Sequence, residues 1–162
     1  MRNTSLKTLA GMAITLGVLA MLVPARKALS QQDGGGRLDG TWDVVLTARN
    51  CQTGAAIASF AELATFMSGG TMIDSTSGVA QSLKTPGQGI WSHVSGNTYH
   101  FSFKSLNFNS AGVFTGSTRV THELTLNSQA DEYTSEGTAD IFDANGVLLV
   151  TRCSTTTGTR MQ

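Results

Sequence analysis

Thr98-Tyr99-His100-Phe101-Ser102-Phe103-Lys104 alternates polar and aromatic side chains without a break, and the run continues through Ser105-Leu106-Asn107-Phe108. Successive side chains of a strand point to opposite faces, so Tyr99, Phe101 and Phe103 share one face and His100, Ser102 and Lys104 the other. The stretch from Val113 to Leu126 repeats the pattern, with Val120, His122, Leu124 and Leu126 alternating with Arg119, Thr121, Glu123 and Thr125. Two such strands joined by a short polar segment form an antiparallel pair whose apolar face needs further strands to cover it.

Working outward, the same period and its Gly, Asn and Asp boundaries predict strands over 41–50, 59–67, 71–75, 89–94, 98–108, 113–126, 132–143 and 147–161. Only 56–67 also reads as a short helix. The expected fold class is all-β: an antiparallel, up-and-down, eight-stranded barrel as a single domain over 38–162. Gly96-Asn97 and Asn145-Gly146 suit two-residue hairpin loops, which sets Tyr99 opposite Val94, His93 opposite His100, and Val150 opposite Ile141. A four-residue loop after Phe108 sets Tyr99 opposite His122, Phe101 opposite Val120 and Phe103 opposite Thr118. Another at 128–131 sets His122 against Gly137 and Leu124 against Ser135.

Because a one-residue slip would turn every side chain over, these pairings define one inner face. It holds Ile90, Val94, Tyr99, Phe101, Phe103, Phe114, Val120, His122, Leu124, Leu126, Tyr133, Ala139, Ile141 and Val150. Lys104, Arg119, Glu123, Glu136 and Asp140 fall outside. Closure lays the last strand beside the first. Pairing Cys51 with Cys153 then sets Val44 opposite Arg160 and brings the Arg160 guanidinium diagonally onto the Trp42 indole.

Gly40-Thr41-Trp42 opening the first strand and Arg160 closing the last resemble the Gly-x-Trp motif and closing arginine of the calycins, the group of lipocalins and fatty-acid-binding proteins. Gly89-Ile90-Trp91 with Tyr99, and Asp143-Ala144-Asn145-Gly146 followed by Gly158-Thr159-Arg160, resemble small secreted bacterial lipocalin-like proteins. The resemblance spans nearly all of 38–162. It implies a barrel with Trp42 and Arg160 as structural residues, and no particular activity. The chain departs from typical lipocalins in lacking a C-terminal helix and in linking its first and last strands by the disulfide. An open sandwich, or the barrel of allene oxide cyclases and dirigent-like proteins, is the alternative fold.

The N-terminus carries Arg2 and Lys7, an uncharged apolar run from Leu9 to Val23, and then Pro24 and small residues ending Ala28-Leu29-Ser30. That is the layout of a signal peptide over 1–30, and about 15 apolar residues fall short of the roughly 20 needed to span a bilayer. Residues 31–37, with Gly34-Gly35-Gly36, read as a flexible leader. The expected location is secreted or periplasmic, without membrane insertion after cleavage. Removing Arg2, Lys7, Arg26 and Lys27 from the 11 basic residues leaves seven against 11 acidic ones, which disfavours nucleic acid as a partner. In an oxidising compartment, Cys51 and Cys153 should form a disulfide.

Catalytic motifs are lacking: there is no Gly-x-Ser-x-Gly, His-Glu-x-x-His or phosphate-binding glycine loop. His122 and Glu123 point to opposite faces, and His93 with His100 lacks the ligand count of a metal site. Neither a catalytic residue, a metal nor a cofactor is expected. The sharpest candidates are inward polar groups, Tyr99 and His122, with Phe101, Phe103 and Phe114 as apolar contacts for a small apolar or aromatic ligand. The 76–88 connection should flank the ligand's access, with Lys84-Thr85-Pro86-Gly87 as a lid. A filled structural barrel and an allene-oxide-cyclase-like enzyme are the competing readings. Oligomeric state is not legible.

Overall fold

Period-two burial marks part of each strand of the computed structural model, which describes residues 37–162. The expected signal peptide at 1–30, and the leader up to residue 36, lie outside the described residues. Eight antiparallel strands follow one another: β1 (Gly40–Arg49), β2 (Ala56–Met67), β3 (Thr71–Thr76), β4 (Gly87–Ser95), β5 (Thr98–Phe108), β6 (Phe114–Leu126), β7 (Glu132–Asp143) and β8 (Leu148–Arg160). Each pairs with its sequence neighbours, and β1 pairs with β8 to close the barrel. Closure gives every strand a partner on both sides, although β2 and β4 run beyond the short β3. Segment 56–67 is strand throughout, not helix, because burying Glu62, Ala64 and Phe66 follows a period of two.

Several registers match expectation: His122 faces Gly137, Leu124 faces Ser135 and Ile141 faces Val150. Others shift. Ser95 pairs with Thr98 but His93, not Val94, pairs with Tyr99, so a bulge lies at Val94. One extra residue inverts the strand beyond it. Trp91, which alternation with Ile90 would put outside, is therefore 4% exposed, whereas Ile90 and Val94, expected inside, are 67% and 56% exposed. The same bulge sets His100 against Ser92, not His93.

Between β5 and β6 the shift is two residues. Tyr99 faces Leu124, Phe101 faces His122 and Phe103 faces Val120. Phe108 pairs with Phe114, one residue beyond the expected Val113, and a bulge before Gly116 adds the second. Two slips restore parity, so Tyr99, Phe101, Phe103, Val120 and His122 remain inside as expected. Phe114 lies beyond the bulge and is 42% exposed. Val150, near the start of β8, is also exposed, at 39%.

The β1/β8 seam shifts by two as well: Trp42 faces Arg160 directly and Val44 faces Gly158. The disulfide joins Cys51 to Cys153 as expected, with Cα atoms 5.2 Å apart. Cys51, however, lies past the end of β1, in a turn where Asn50 Oδ1 accepts hydrogen bonds from the Gln52 and Thr53 amides at 2.8 and 3.0 Å. Arg49 is therefore the residue opposite Cys153, and the bond runs diagonally.

Candidate functional site

The two ends of the barrel differ because the inner residues differ in bulk. Towards the short connections after β2, β4 and β6, Trp42, Phe66, Trp91, Tyr99, Leu124 and Tyr133 are fully buried. Their rings meet edge to face: Trp42 on Tyr133 at 5.0 Å, Phe66 on Phe101 at 5.7 Å and Phe66 on Trp91 at 6.1 Å. Tyr133 fits because β8 presents Gly158 beneath it, and a Cβ there would overlap the ring. This half is filled by its own side chains.

Towards the other end the inner positions carry smaller residues, and a cavity of about 580 Å³ opens. Leu46 and Ala48 of β1, Ala58 and Phe60 of β2, Phe103 of β5 and Val120 of β6 form much of its wall. Strand β3 stops at Thr76, and its pairing with β4 covers only four residues. The 77–86 segment fills the resulting gap. Its Leu83 carbonyl accepts from the Phe108 amide at 2.8 Å, and the Thr85 amide donates to the Leu106 carbonyl at 3.0 Å. The segment flanks the opening, as expected, but the expected lid residues Lys84 and Thr85 are bonded to β5 as an additional edge.

Beneath the cavity lies a second void of about 10 Å³, lined by Glu62, Asp74, His122, Tyr133 and Thr156 among others. That is about the room one water requires, with polar partners to hold it. Glu62, Phe103 and Val120 line both spaces. Alternation places Glu62 on the inner face of β2 and Asp74 on that of β3, and both carboxyl groups are buried. Asp74 Oδ1 accepts no hydrogen bond, and the Lys84 Nζ stands 3.9 Å from it. Desolvation pushes the Glu62 carboxyl up to about 8; neighbouring Asp74 adds to the rise, while Lys84 and a hydrogen bond with Thr76 oppose it. Burial likewise raises Asp74 to about 6 against the pull of Lys84. Near neutrality this floor holds one proton in addition to the lysine charge.

His122 closes the floor on the β6 side. Its Nδ1 lies 2.8 Å from Ser135 Oγ and its Nε2 2.9 Å from Ser154 Oγ, and Ser135 Oγ in turn lies 2.6 Å from Thr156 Oγ1. Burial lowers its pKa to about 4, so the ring is neutral. A neutral imidazole donates through one nitrogen and accepts through the other, and the two serines satisfy both roles.

Of the ligand contacts expected from sequence, Phe103 lines the main cavity, and Phe101 and His122 line the void beneath. His122 stacks on Phe101 at 5.3 Å. Tyr99 sits in the filled end against Trp91 and His93, removed from the expected His122 partnership. Phe114 packs edge to face on Phe108 at 6.1 Å and lines neither space. Sequence reasoning overlooked Glu62 and Asp74. Alternation through Ala58, Phe60, Ala64 and Phe66 puts Glu62 inside, a signal obscured by the helical alternative for that segment.

Comparisons of the chain with protein-family models, with curated proteins and with solved structures found no match.

Proposed function

We propose that this protein is an exported barrel that binds one small, largely apolar molecule in the cavity at its open end. The cavity carries the reading: about 580 Å³ lies within the range of roughly 300–1,000 Å³ in which small-molecule sites fall. Eight strands enclose either their own side chains or one small ligand. Here the filled half supplies a rigid base and the open half the site. The resemblance to calycins favours the same reading, with Phe103 contacting the ligand's body and Phe101 and His122 supporting the floor below it. The disulfide suits the oxidising surroundings that export to the periplasm or beyond would bring.

A barrel enzyme of cyclase or isomerase type is the second reading, favoured by one observation. The Glu62 carboxyl, raised to about 8, keeps a proton beside the cavity near neutral pH, as a general acid would.

A neutral apolar fluorophore should bind the wild type saturably, and Ala48→Phe, which puts an aromatic ring into the cavity, should weaken that binding in a folded protein. Saturable binding with unchanged affinity in Ala48→Phe would put the ligand elsewhere, and no binding by the wild type would favour a filled structural barrel. Chemical conversion of a released ligand, followed by mass spectrometry, would select the enzyme.

A further inference from the structure

We infer that the ligand is a cation, an apolar molecule ending in a protonated amine that is held by Glu62 and Asp74 at the base of the cavity. This deepens the ligand-binding reading and rests on it.

The charges facing the floor can be counted from every strand around it. Glu62 comes from β2 and Asp74 from β3, and Lys84 comes from the 77–86 segment. Across the barrel, β6 contributes neutral His122, β7 the Tyr133 hydroxyl and β8 Ser154 and Thr156, while Arg152 stands exposed at the cavity's rim. Two carboxyl groups thus share one ammonium. That ammonium is 3.9 Å from Asp74 Oδ1, too far to hydrogen-bond it. The Asp74 side chain is 2% exposed, and its Oδ1, with no hydrogen bond, borders the small void. A buried carboxylate with an unused oxygen is costly; any hydrogen-bond donor relieves it, and a positively charged donor relieves it most.

The route to this oxygen passes Glu62 and Phe103, which line both the cavity and the void. Aromatic faces attract cations, and Lys84 Nζ already lies 6.0 Å from the Phe103 centroid. The remaining wall is mostly apolar, including Leu46, Val79, Leu83, Ile141 and the rings of Phe60 and Phe108, and suits an apolar body. A carboxylate ligand would meet two carboxyl groups. A hydroxyl could accept from the Glu62 carboxyl and donate to Asp74 Oδ1, but it brings no charge to offset the Asp74 carboxylate. An ammonium satisfies both residues and displaces the proton that burial keeps on Glu62 near neutrality.

Titration calorimetry at pH 7 with 4-phenylbutylamine, 4-phenylbutanol and 4-phenylbutanoate separates these cases, because the three share a body and differ in the head. In two buffers of different ionisation enthalpy, the amine should bind about tenfold or more tightly than the alcohol, as a charge-assisted hydrogen bond would give. It should also release close to one proton, which the alcohol should not. Glu62→Gln should remove both the amine's advantage and the proton release, with alcohol binding in the same variant reporting that the cavity is intact. If the alcohol or the carboxylate binds as tightly as the amine, or if amine binding releases no proton, the cationic ligand is overturned while the cavity reading stands. Binding by none of the three overturns both.

Discussion

The guanidinium carbon of Arg160 lies 4.3 Å from the centroid of the Trp42 ring, and the two residues face each other directly across the β1/β8 seam. Arg160 donates from Nε to the Ala130 carbonyl at 2.7 Å, and its two other nitrogens donate to the Asp39 and Arg37 carbonyls. One side chain therefore ties the β6–β7 connection and the segment before β1 to the barrel's base. Gly40 belongs to the same unit. Its φ is +131°, and a Cβ there would stand 2.7 Å from an Arg160 terminal nitrogen. The Gly-x-Trp pattern thus has a steric reason: a side chain at residue 40 would push the guanidinium off the indole.

Loss of this unit should cost folding stability. Trp42→Ala is expected to destabilise by about 3–5 kcal/mol, as removal of a fully buried tryptophan does. Arg160→Lys keeps the charge but loses the planar fork and should cost about 1–3 kcal/mol through carbonyls left unpaired. Urea denaturation measures both, and unchanged midpoints would show that the seam does not depend on them.

The Cys51–Cys153 bond links residues separated by 102 positions. Replacing both with alanine should lower stability by about 2–4 kcal/mol, because the unfolded chain regains the freedom that the crosslink removes. Intact mass after alkylation of the unreduced wild type should show no modified thiol. Two modified thiols would refute the seam's covalent closure.

Neighbours Ile90 and Trp91 should respond oppositely to what alternation from the hairpin predicts. Trp91 is buried and donates from its indole to the Met67 carbonyl at 3.0 Å, whereas Ile90 is exposed. Trp91→Ala should cost about 3–5 kcal/mol, and Ile90→Ala should change stability by no more than about 0.5 kcal/mol. Equal losses would mean that the bulge at Val94 is not populated in solution.

The buried carboxyl groups and His122 push stability in opposite directions with pH. Glu62 is raised from 4.5 to about 8 and Asp74 from 3.8 to about 6, so the native state retains protons that the unfolded chain gives up. Their stabilisation is lost as pH rises towards those values. His122 is lowered from 6.5 to about 4, so stability falls as pH drops from 6.5 towards 4. The opposing effects overlap in acid, which leaves the interval from pH 6.5 to 8 to Glu62. Wild type should lose about 2 kcal/mol at most across it, and Glu62→Gln should lose almost none. Denaturation at three pH values tests this; parallel losses in the two proteins would exonerate Glu62.

The number of strands, their order and most of their bounds were legible in the chain because the two-residue period is a local property of extended backbone. Inner and outer faces on β5, β7 and the central part of β6 followed from the same period, and export chemistry together with closure pointed to Cys51–Cys153. The Trp42–Arg160 contact was also foreseen, though as a diagonal and not a direct pair. Bulges were not legible. An inserted residue at Val94 costs little locally and is chosen by which of Ile90 and Trp91 fills the base of the barrel, a choice made only when Phe66, Tyr99 and Met67 are already beside them. The cavity and its floor lay further out of reach. Parity could have placed Glu62 inside, but its partnership with Asp74 and Lys84 joins two strands and a long connection that meet only where β3 ends early. Alternation therefore specified which side chains could point inward. Closure of the barrel decided how much space they left and which charges had to share it, because volume and desolvation depend on all eight strands at once.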